Sequence, residues 1–456
     1  MANAPAFVID TFGFRVPCRL FYVKANVTRD RNLPIVDEYV LRLLRICEGM
    51  ELDDLGKFFG FQRAEIEMVV GGLDHSGLAR FDGGKVVLTP TAIGLFENNP
   101  EGEPRLISVE SWDEHLWVEL VTRSLVPEPQ SGGQSKYLIG IGSELPKMDE
   151  SVARDAMSKG FAGHIRRKGL NPQRISHHST SAAEPGRVMP ALVRASKVIP
   201  DGQVEPVLEF GREWSDWTED GLSLKGEIAS EYGRLQHARG RMNAFEEFRV
   251  LTGDDHLVQY MHDNGEFNLA RLIEDTVTPA SGSRRGYLIG AAYLERNRRE
   301  LWNFVNTHLA AASVAPEIWW RRPMGDAWGR TPDLAETVQY LENLIRSTFK
   351  QQPRTTLFVP ASVRQARRHD RVFLRGVANI EDGNHSQAIE IVCVPDVAAL
   401  VIVHLTVGQD SVPLGVLVPP GRHLQAVQRR FREGNEIWNS SAQQAKSRRL
   451  PEVPKE

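Results

Sequence analysis

The sequence predicts a multidomain α/β protein, with a small helical module near the N-terminus and a mixed α/β body behind it. At 456 residues the chain is too long for one compact core. Residues 34–98 combine helical periodicity with a hairpin, and from residue 286 strands alternate with helices, as in sheets covered on both faces. The expected segments are a β segment at 1–33, the module at 34–98, α/β domains at 105–277 and 286–442, and a flexible tail at 443–456.

Composition excludes several classes of protein. The net charge of −4 argues against coating nucleic acid through overall charge, although it leaves room for a local basic face. Three scattered cysteines without a C-x-x-C pair support neither a disulfide framework nor a cysteine zinc site, and favour the reducing cytoplasm. The most apolar window, 388–418, is interrupted by polar residues and reads as buried strands. We expect a soluble, cytoplasmic protein with no cofactor, no metal and no membrane span.

The N-terminal elements follow from hydrophobic patterning. Residues 6–27, rich in β-branched and aromatic side chains, predict two strands that turn near Pro17. Apolar residues at three- and four-residue steps predict a helix opened by Pro34, a short helix over 52–59 and a third helix from Gln62 to Gly77. Asp82-Gly83-Gly84 predicts a tight turn in a hairpin, and a last short helix follows over 91–96.

This order of elements, with the run Lys85-Val86-Val87-Leu88-Thr89-Pro90-Thr91-Ala92-Ile93-Gly94-Leu95, resembles the winged helix-turn-helix family. The resemblance implies that the third helix enters the DNA major groove and that the wing contacts phosphates. Arg63 on that helix and Arg80 and Lys85 in the wing are the implied nucleic-acid contacts. The third helix also carries three carboxylates, so docking onto another protein remains an equal alternative.

The body is expected to alternate strands and helices. A strand and a short helix are predicted over 106–125, extended chain over 187–210 and helical chain over 222–247. The tetrapeptide Tyr-Leu-Ile-Gly occurs at 137–140 and 287–290, each time before a predicted helix, which raises the hypothesis of two related halves. The predicted helices of the body are 149–168, 294–312 and 333–349, and its later strands are 317–320, 355–359, 371–374, 388–394 and 399–407.

Two groups of residues suggest chemistry in the body. Arg321-Arg322 beside a Trp pair, and Arg367-Arg368, can neutralise phosphates and stack on bases, and we predict that these arginines bind nucleic acid. His369-Asp370-Arg371, followed by Gly376-Val377-Ala378-Asn379 and Glu390, is similar to the phospholipase D superfamily. That resemblance implies His369 as nucleophile and Arg371 as phosphate holder, although the family has lysine at the position of Arg371.

Three hypotheses of function result. The first is a non-enzymatic, nucleic-acid-associated component, with DNA as the expected partner and other protein subunits alongside. Its architecture is analogous to that of proteins in bacterial regulatory and phage-defence (antiviral) complexes. The second is a phospholipase D-like phosphodiester hydrolase or nuclease, and the third is a scaffold that uses the module to bind protein.

Overall fold

The chain has a mixed α/β fold, seen in a computed structural model that describes residues 7–31, 33–96, 104, 106–129, 135–142, 150–199, 207–210, 221–235, 242–261, 267–269, 271–272, 275, 286–360, 366–369, 371–373, 377–380, 386–407 and 410–433. The helices are α1 Ile35–Cys47, α2 Leu52–Phe59, α3 Arg63–His75, α4 Pro90–Gly94, α5 Glu150–Arg167, α6 Gly221–Gly233, α7 Met242–Thr252, α8 Glu295–Leu309, α9 Pro332–Phe349 and α10 Arg422–Glu433. Short 3-10 helices span Leu257–Tyr260 and Ala366–His369. The strands are β1 Phe7–Arg31, β2 Met50–Glu51, β3 Ala79–Asp82, β4 Lys85–Leu88, β5 Leu106–Glu119, β6 Leu125–Val126, β7 Ile139–Gly140, β8 Ile175–Ile199, β9 Val207–Phe210, β10 Leu288–Ile289, β11 Ile318–Arg321, β12 Thr355–Pro360, β13 Val377–Ile380, β14 Ile389–Val394, β15 Ala398–Val407 and β16 Asp410–Val418.

A long antiparallel sheet dominates the N-terminal half. Strands β1 and β8, each 25 residues long, pair along most of their length, and β5 pairs with the distal half of β1. Residues 18–31, 106–119 and 175–189 thus form a three-stranded ribbon about 40 Å long, called the arm below. Helix α5 packs on one face of the arm through a cluster that includes Phe21, Val23 and Phe161.

The predicted turn at Pro17 is wrong, because β1 runs straight through this residue. Pro17 lies opposite Pro190 in the ladder with β8, and its carbonyl accepts a hydrogen bond from the Leu120 backbone on the other side of β1. In a strand, the N–H and C=O of one residue point to the same side, so the missing N–H of Pro17 faces away from β8. On that side β5 has just ended at Glu119. A proline therefore interrupts no ladder bond here.

Residues 33–96 form a separate hydrophobic cluster at the end of the arm. The last residue of β1, Arg31, pairs with the first residue of β5, Leu106, so this unit is inserted between two paired strands. It contains α1 to α4 and the three-stranded sheet β2-β4-β3 around buried residues such as Val40, Leu44 and Val70. These elements occur in the predicted order. We call this part the 33–96 unit.

A seven-stranded mixed sheet forms the C-terminal half, in the order β10-β16-β15-β14-β11-β12-β13. The strands β11, β12 and β13 are parallel, whereas the other neighbouring strands are antiparallel. The strand predicted over 371–374 is wrong for its described residues, 371–373. The backbone N–H groups of Val372 and Phe373 both donate to the His369 carbonyl, which makes a turn in place of a ladder.

Two further expectations for the body need revision. The short helix expected before Leu125 is absent from the described residues 106–125, where β5 ends in a turn. The Glu119 carboxylate accepts bonds of 2.9 Å from the backbone N–H groups of Val121 and Thr122 and so holds that turn. The two Tyr-Leu-Ile-Gly segments lie in different sheets, since β7 pairs in parallel with β1 and β10 pairs antiparallel with β16. Their pairing gives no support to two related halves.

The two large sheets meet at the beginning of β1. The carbonyl of Ile9 accepts from the Ala291 backbone at 2.9 Å, and the Gly13 backbone donates to the Arg330 carbonyl at 2.7 Å. The Tyr293 hydroxyl donates to the Asp10 carboxyl group at 2.7 Å. Burial raises the pKa of Asp10 to about 6, against the lowering effect of this hydrogen bond. The beginning of β1, which leads into the arm, is therefore fixed to the C-terminal half.

Candidate functional site

The predicted nucleic-acid contacts of the 33–96 unit are mostly paired with carboxylates. Arg63, in the first turn of α3, contacts Asp53 at 2.7 Å and Glu67 at 3.0 Å. The Arg80 guanidinium lies 3.7 Å from the Asp82 carboxylate, two residues further along the same strand. Lys85 is exposed at the beginning of β4. The assignment of Arg63, Arg80 and Lys85 to nucleic acid stays a prediction, and this surface offers phosphates little unpaired positive charge.

The net charge of the whole 33–96 unit also disfavours contact with phosphates. Residues 33–96 contain six lysine and arginine residues and ten aspartate and glutamate residues, a net charge of −4. The rest of the chain contains 49 of each kind. The remainder is therefore neutral overall, and the formal net charge of −4 of the protein equals that of the 33–96 unit. Acidic surfaces repel DNA and attract basic partners.

Helix α1 presents an apolar stripe to solvent. Ile35, Tyr39 and Ile46 are 73%, 53% and 79% exposed. Their spacing of four and seven residues places them on one side of the helix, opposite the buried Val40 and Leu44. Exposed apolar residues grouped in this way mark interaction surfaces more often than solitary ones do. We call Ile35, Tyr39 and Ile46 the α1 stripe.

The arginines predicted in the body lie largely inside the protein. Arg321 is 6% exposed and its guanidinium lies 3.6 Å from the Glu247 carboxylate. Arg322 is 2% exposed, with its guanidinium 5.1 Å from the centre of the Trp328 ring. Arg368 lies 3.8 Å from Asp326, and the side chain of Arg367 falls outside the described residues. Arg321 and Arg322 therefore do not lie on an open outer face along which a nucleic-acid backbone could run.

His369 and Arg371 have opposite environments. His369 is fully buried and its Nε2 donates to the Gly329 carbonyl at 3.2 Å. Burial, with the nearby Arg322, lowers the pKa of His369 to about 3, so the imidazole is neutral at physiological pH. Arg371 is exposed, and Asp370 and Gly376 fall outside the described residues. The catalytic assignment stays a prediction, and the Nε2 atom of His369 is occupied by the Gly329 carbonyl.

Glu390, the last residue of the phospholipase D-like pattern, belongs to a buried polar network. Its carboxylate accepts from the Trp320 indole at 2.9 Å and lies 2.9 Å from His404 Nε2. Each carboxylate oxygen thus has a partner, which is the condition for a stable buried carboxylate. This arrangement is consistent with a structural role.

A groove at the edge of β5 was not predicted as a site. It encloses about 670 Å³ beside Trp117, His164, Arg167, Lys168 and Arg187. The Arg187 guanidinium lies 5.4 Å from the Trp117 ring centre, and Lys168 Nζ lies 5.1 Å from that of Trp112. Both cations also pair with carboxylates, Arg187 with Glu128 and Lys168 with Glu114. The sequence shows the basic run 166–168 and the tryptophans, but only the pairing of β1 with β5 and β8 brings them together.

Comparisons with known proteins identify no family. No protein-family model matches the chain, and no curated protein matches it. Among solved structures, the chain is similar to that described as "Structure of TrmBL2, an archaeal chromatin protein, shows a novel mode of DNA binding", with 8% identity over 90% of this chain and 93% of that one, and a TM-score of 0.20. A likeness at this level carries no argument about fold or function. Within the described residues, no helix has both the length and the hydrophobicity needed to cross a membrane.

Proposed function

We propose that this protein is a non-enzymatic scaffold whose 33–96 unit is a winged helix-turn-helix module that docks onto a partner protein. Three helices followed by a hairpin that pairs with β2 support the module. The observation that carries the docking function is the net charge of −4 on a unit that also exposes the α1 stripe. The occupant is therefore a protein surface that combines lysine or arginine side chains with apolar ones.

The position of the unit favours docking. It lies at the end of an arm about 40 Å long, away from the sheet contacts at the base of β1. A binding unit held in this way reaches a partner without requiring the body to approach it. Arg63 lies on the helix that would otherwise read DNA, and its pairing with Asp53 of α2 and Glu67 of α3 favours docking onto protein over binding to phosphates.

The test places a charge within the α1 stripe and leaves the fold intact. Ile46→Glu in the full chain places a charge at a residue that is 79% exposed, so it should alter stability by less than about 0.5 kcal/mol. Val314→Glu, at a residue 72% exposed outside the unit, is the matched control. Wild type and control should retain a partner through nuclease treatment, and Ile46→Glu should lose it. The purified partner should bind more weakly as salt rises, because the unit is acidic.

Two outcomes overturn the proposal. One is a partner that Ile46→Glu and Val314→Glu retain equally. The other is an association that nuclease abolishes, which would assign the unit to nucleic acid.

Nucleic-acid association is the second candidate function, and the groove at β5 is the observation that favours it. Arg187 and Lys168 beside tryptophan rings combine phosphate neutralisation with stacking, as in proteins that bind single strands. Their ion pairs with carboxylates are exposed or partly exposed, and such pairs exchange readily for phosphate because each is worth about 1 kcal/mol or less.

Substitution of Arg187 tests this second candidate. Arg187→Gln should weaken binding of a fluorescent single-stranded oligonucleotide about 10-fold in an anisotropy titration and reduce the salt dependence by about one phosphate. Arg123→Gln removes an exposed, carboxylate-paired arginine away from the groove and is the control. Equal affinities for the two variants, or no binding by the wild type, would exclude the groove.

A further inference from the structure

Two buried arginines in the C-terminal half donate their hydrogen bonds, among the described residues, to backbone carbonyls. Arg322 donates to the carbonyls of Pro323 and Gly325, and Arg330 to those of Asp326, Tyr137 and Leu138. They are 2% and 7% exposed. Among the described residues, neither guanidinium has a carboxylate within ion-pair distance. A buried cation without a counter-charge is costly, since its desolvation is not repaid.

More positive charge surrounds this pair. The positive charge of Arg368 repels both guanidiniums, and that of Arg15 repels the guanidinium of Arg330. Two carboxylates oppose this charge: Asp326 acts on Arg322 and Arg330, and the buried Glu390 acts on Arg322. Asp326 is 41% exposed and lies 3.8 Å from Arg368. Desolvation, with this mutual repulsion, lowers the pKa of Arg330 to about 9 and that of Arg322 to about 10. We call Arg15, Arg322, Arg330 and Arg368 the arginine cluster.

Two polar atoms beside the arginine cluster have no hydrogen-bond partner in the part of the chain that the structure describes. The indole Nε1 of Trp328 and the imidazole Nδ1 of His369 are buried, and among the described residues neither has a partner. The two rings are 5.2 Å apart, and Arg322 lies against the Trp328 ring. Because His369 Nε2 donates to Gly329, Nδ1 carries a lone pair. The site thus offers one donor, one acceptor and the remaining N–H groups of two guanidiniums, and buried groups of this kind call for a ligand or water.

The topology places these groups where α/β sheets bind ligands. Strands β11 and β12 are parallel. Arg322, Trp328 and Arg330 follow the carboxyl end of β11, and Arg368 and His369 lie in the 3-10 helix that follows β12. Ligands in open α/β sheets bind beyond the carboxyl ends of the strands, at the point where the strand order changes direction. The strand order changes direction at β11, because the chain continues to β12 and β13 on one side of it and then to β14, β15 and β16 on the other.

We propose that the arginine cluster binds the phosphoryl group of a phosphorylated ligand, which enters beside Asp326. The four guanidiniums exceed Asp326 and Glu390 by two positive charges, which a dianionic phosphoryl group matches, and its oxygens fit the fork of N–H donors on arginine. The Trp328 indole donates to a phosphoryl oxygen. His369 Nδ1 accepts from a hydroxyl group of the ligand or from a protonated phosphoryl oxygen.

The experiment measures pyrophosphate binding to the full chain by calorimetry. Arg368→Gln changes a cluster residue near the surface, so the fold should survive, and Trp328→Phe retains the ring while removing the N–H group. Each should weaken pyrophosphate binding about 10-fold, since a hydrogen bond to a charged group is lost. Arg123→Gln, in the exposed turn between β5 and β6, should leave it unchanged.

Titrations with two further ligands identify the source of the phosphoryl group. A nucleoside triphosphate stands for a free small ligand, and an oligonucleotide with or without a 5′-phosphate stands for a nucleic-acid end. Binding of the triphosphate alone assigns a small ligand, and binding that requires the 5′-phosphate assigns a strand end. The proposal fails if millimolar pyrophosphate produces neither heat nor a rise in Tm, or if Arg368→Gln binds it as tightly as wild type.

Discussion

Arginine side chains in this protein take three environments that the sequence does not distinguish. Arg63 lies on the surface between two carboxylates, Arg321 is buried against Glu247, and Arg322 is buried on backbone carbonyls. The sequence showed Arg321 and Arg322 as a basic pair beside tryptophans. It could not show that β11 is a central strand of its sheet, which is what buries both. The cluster around Arg322 was therefore unpredictable until the strand order was known.

His369 should make the stability of the protein depend on pH. Its pKa is about 3 in the folded chain, whereas an unfolded histidine titrates near 6.5. Below pH 6.5 the unfolded chain binds a proton that the folded chain does not, so the free energy of unfolding falls as the pH drops toward 3. The loss attributable to His369 is about 1.4 kcal/mol per pH unit.

Urea unfolding of wild type and His369→Gln at pH 7, 6 and 5 isolates this effect. The stability difference, wild type minus variant, should shrink with each step below pH 6.5. Asp10 has the opposite pH dependence, because its raised pKa favours the folded state as the pH falls toward 4. It is present in both proteins and cancels in the difference. A difference that does not change with pH would show that His369 is not buried as a neutral imidazole.

At the scale of elements, local periodicity predicted helices well and strands less well. The helices of the 33–96 unit and α5, α8 and α9 follow from apolar spacing, and the start of α1 follows from Pro34. The unbroken β1 could not be predicted, because the tolerance for Pro17 depends on β5 ending beside it. The pairing of β1 with β8 could not be predicted either, because the two strands are far apart in the sequence. Strands whose length depends on partners that are distant in the sequence could therefore not be predicted from local patterns.

Two glycines should respond in opposite ways to alanine. Gly71 lies within α3 with open space around it, so Gly71→Ala should stabilise the protein by about 0.5–1 kcal/mol through helix propensity. Gly290 has a φ of +95°, and an added Cβ would lie 2.8 Å from the Ile9 carbonyl oxygen. Gly290→Ala should therefore destabilise by more than about 1 kcal/mol. Urea unfolding measures both, and shifts of the same sign would contradict the packing of β1 against Gly290.

At the scale of the whole molecule, charge and shape are divided between two parts. The acidic 33–96 unit lies at the end of the arm, and the neutral remainder holds the two large sheets and the arginine cluster. The charge division can be counted from the sequence. The arm cannot be predicted in this way, because it forms when β1 pairs with β5 on one edge and with β8 on the other, and both of these strands are distant from β1 in the sequence. Together they argue for a unit presented to a basic partner.

Photocross-linking from position 46 tests the docking of the α1 stripe most directly. A photoreactive phenylalanine analogue replaces Ile46 in one full-length variant and Val314 in another, two residues of similar exposure. In native cells, position 46 should yield adducts with a defined protein at a surface rich in lysine and arginine, and position 314 should not. Adducts with nucleic acid alone, or no protein adduct specific to position 46, would contradict the proposal.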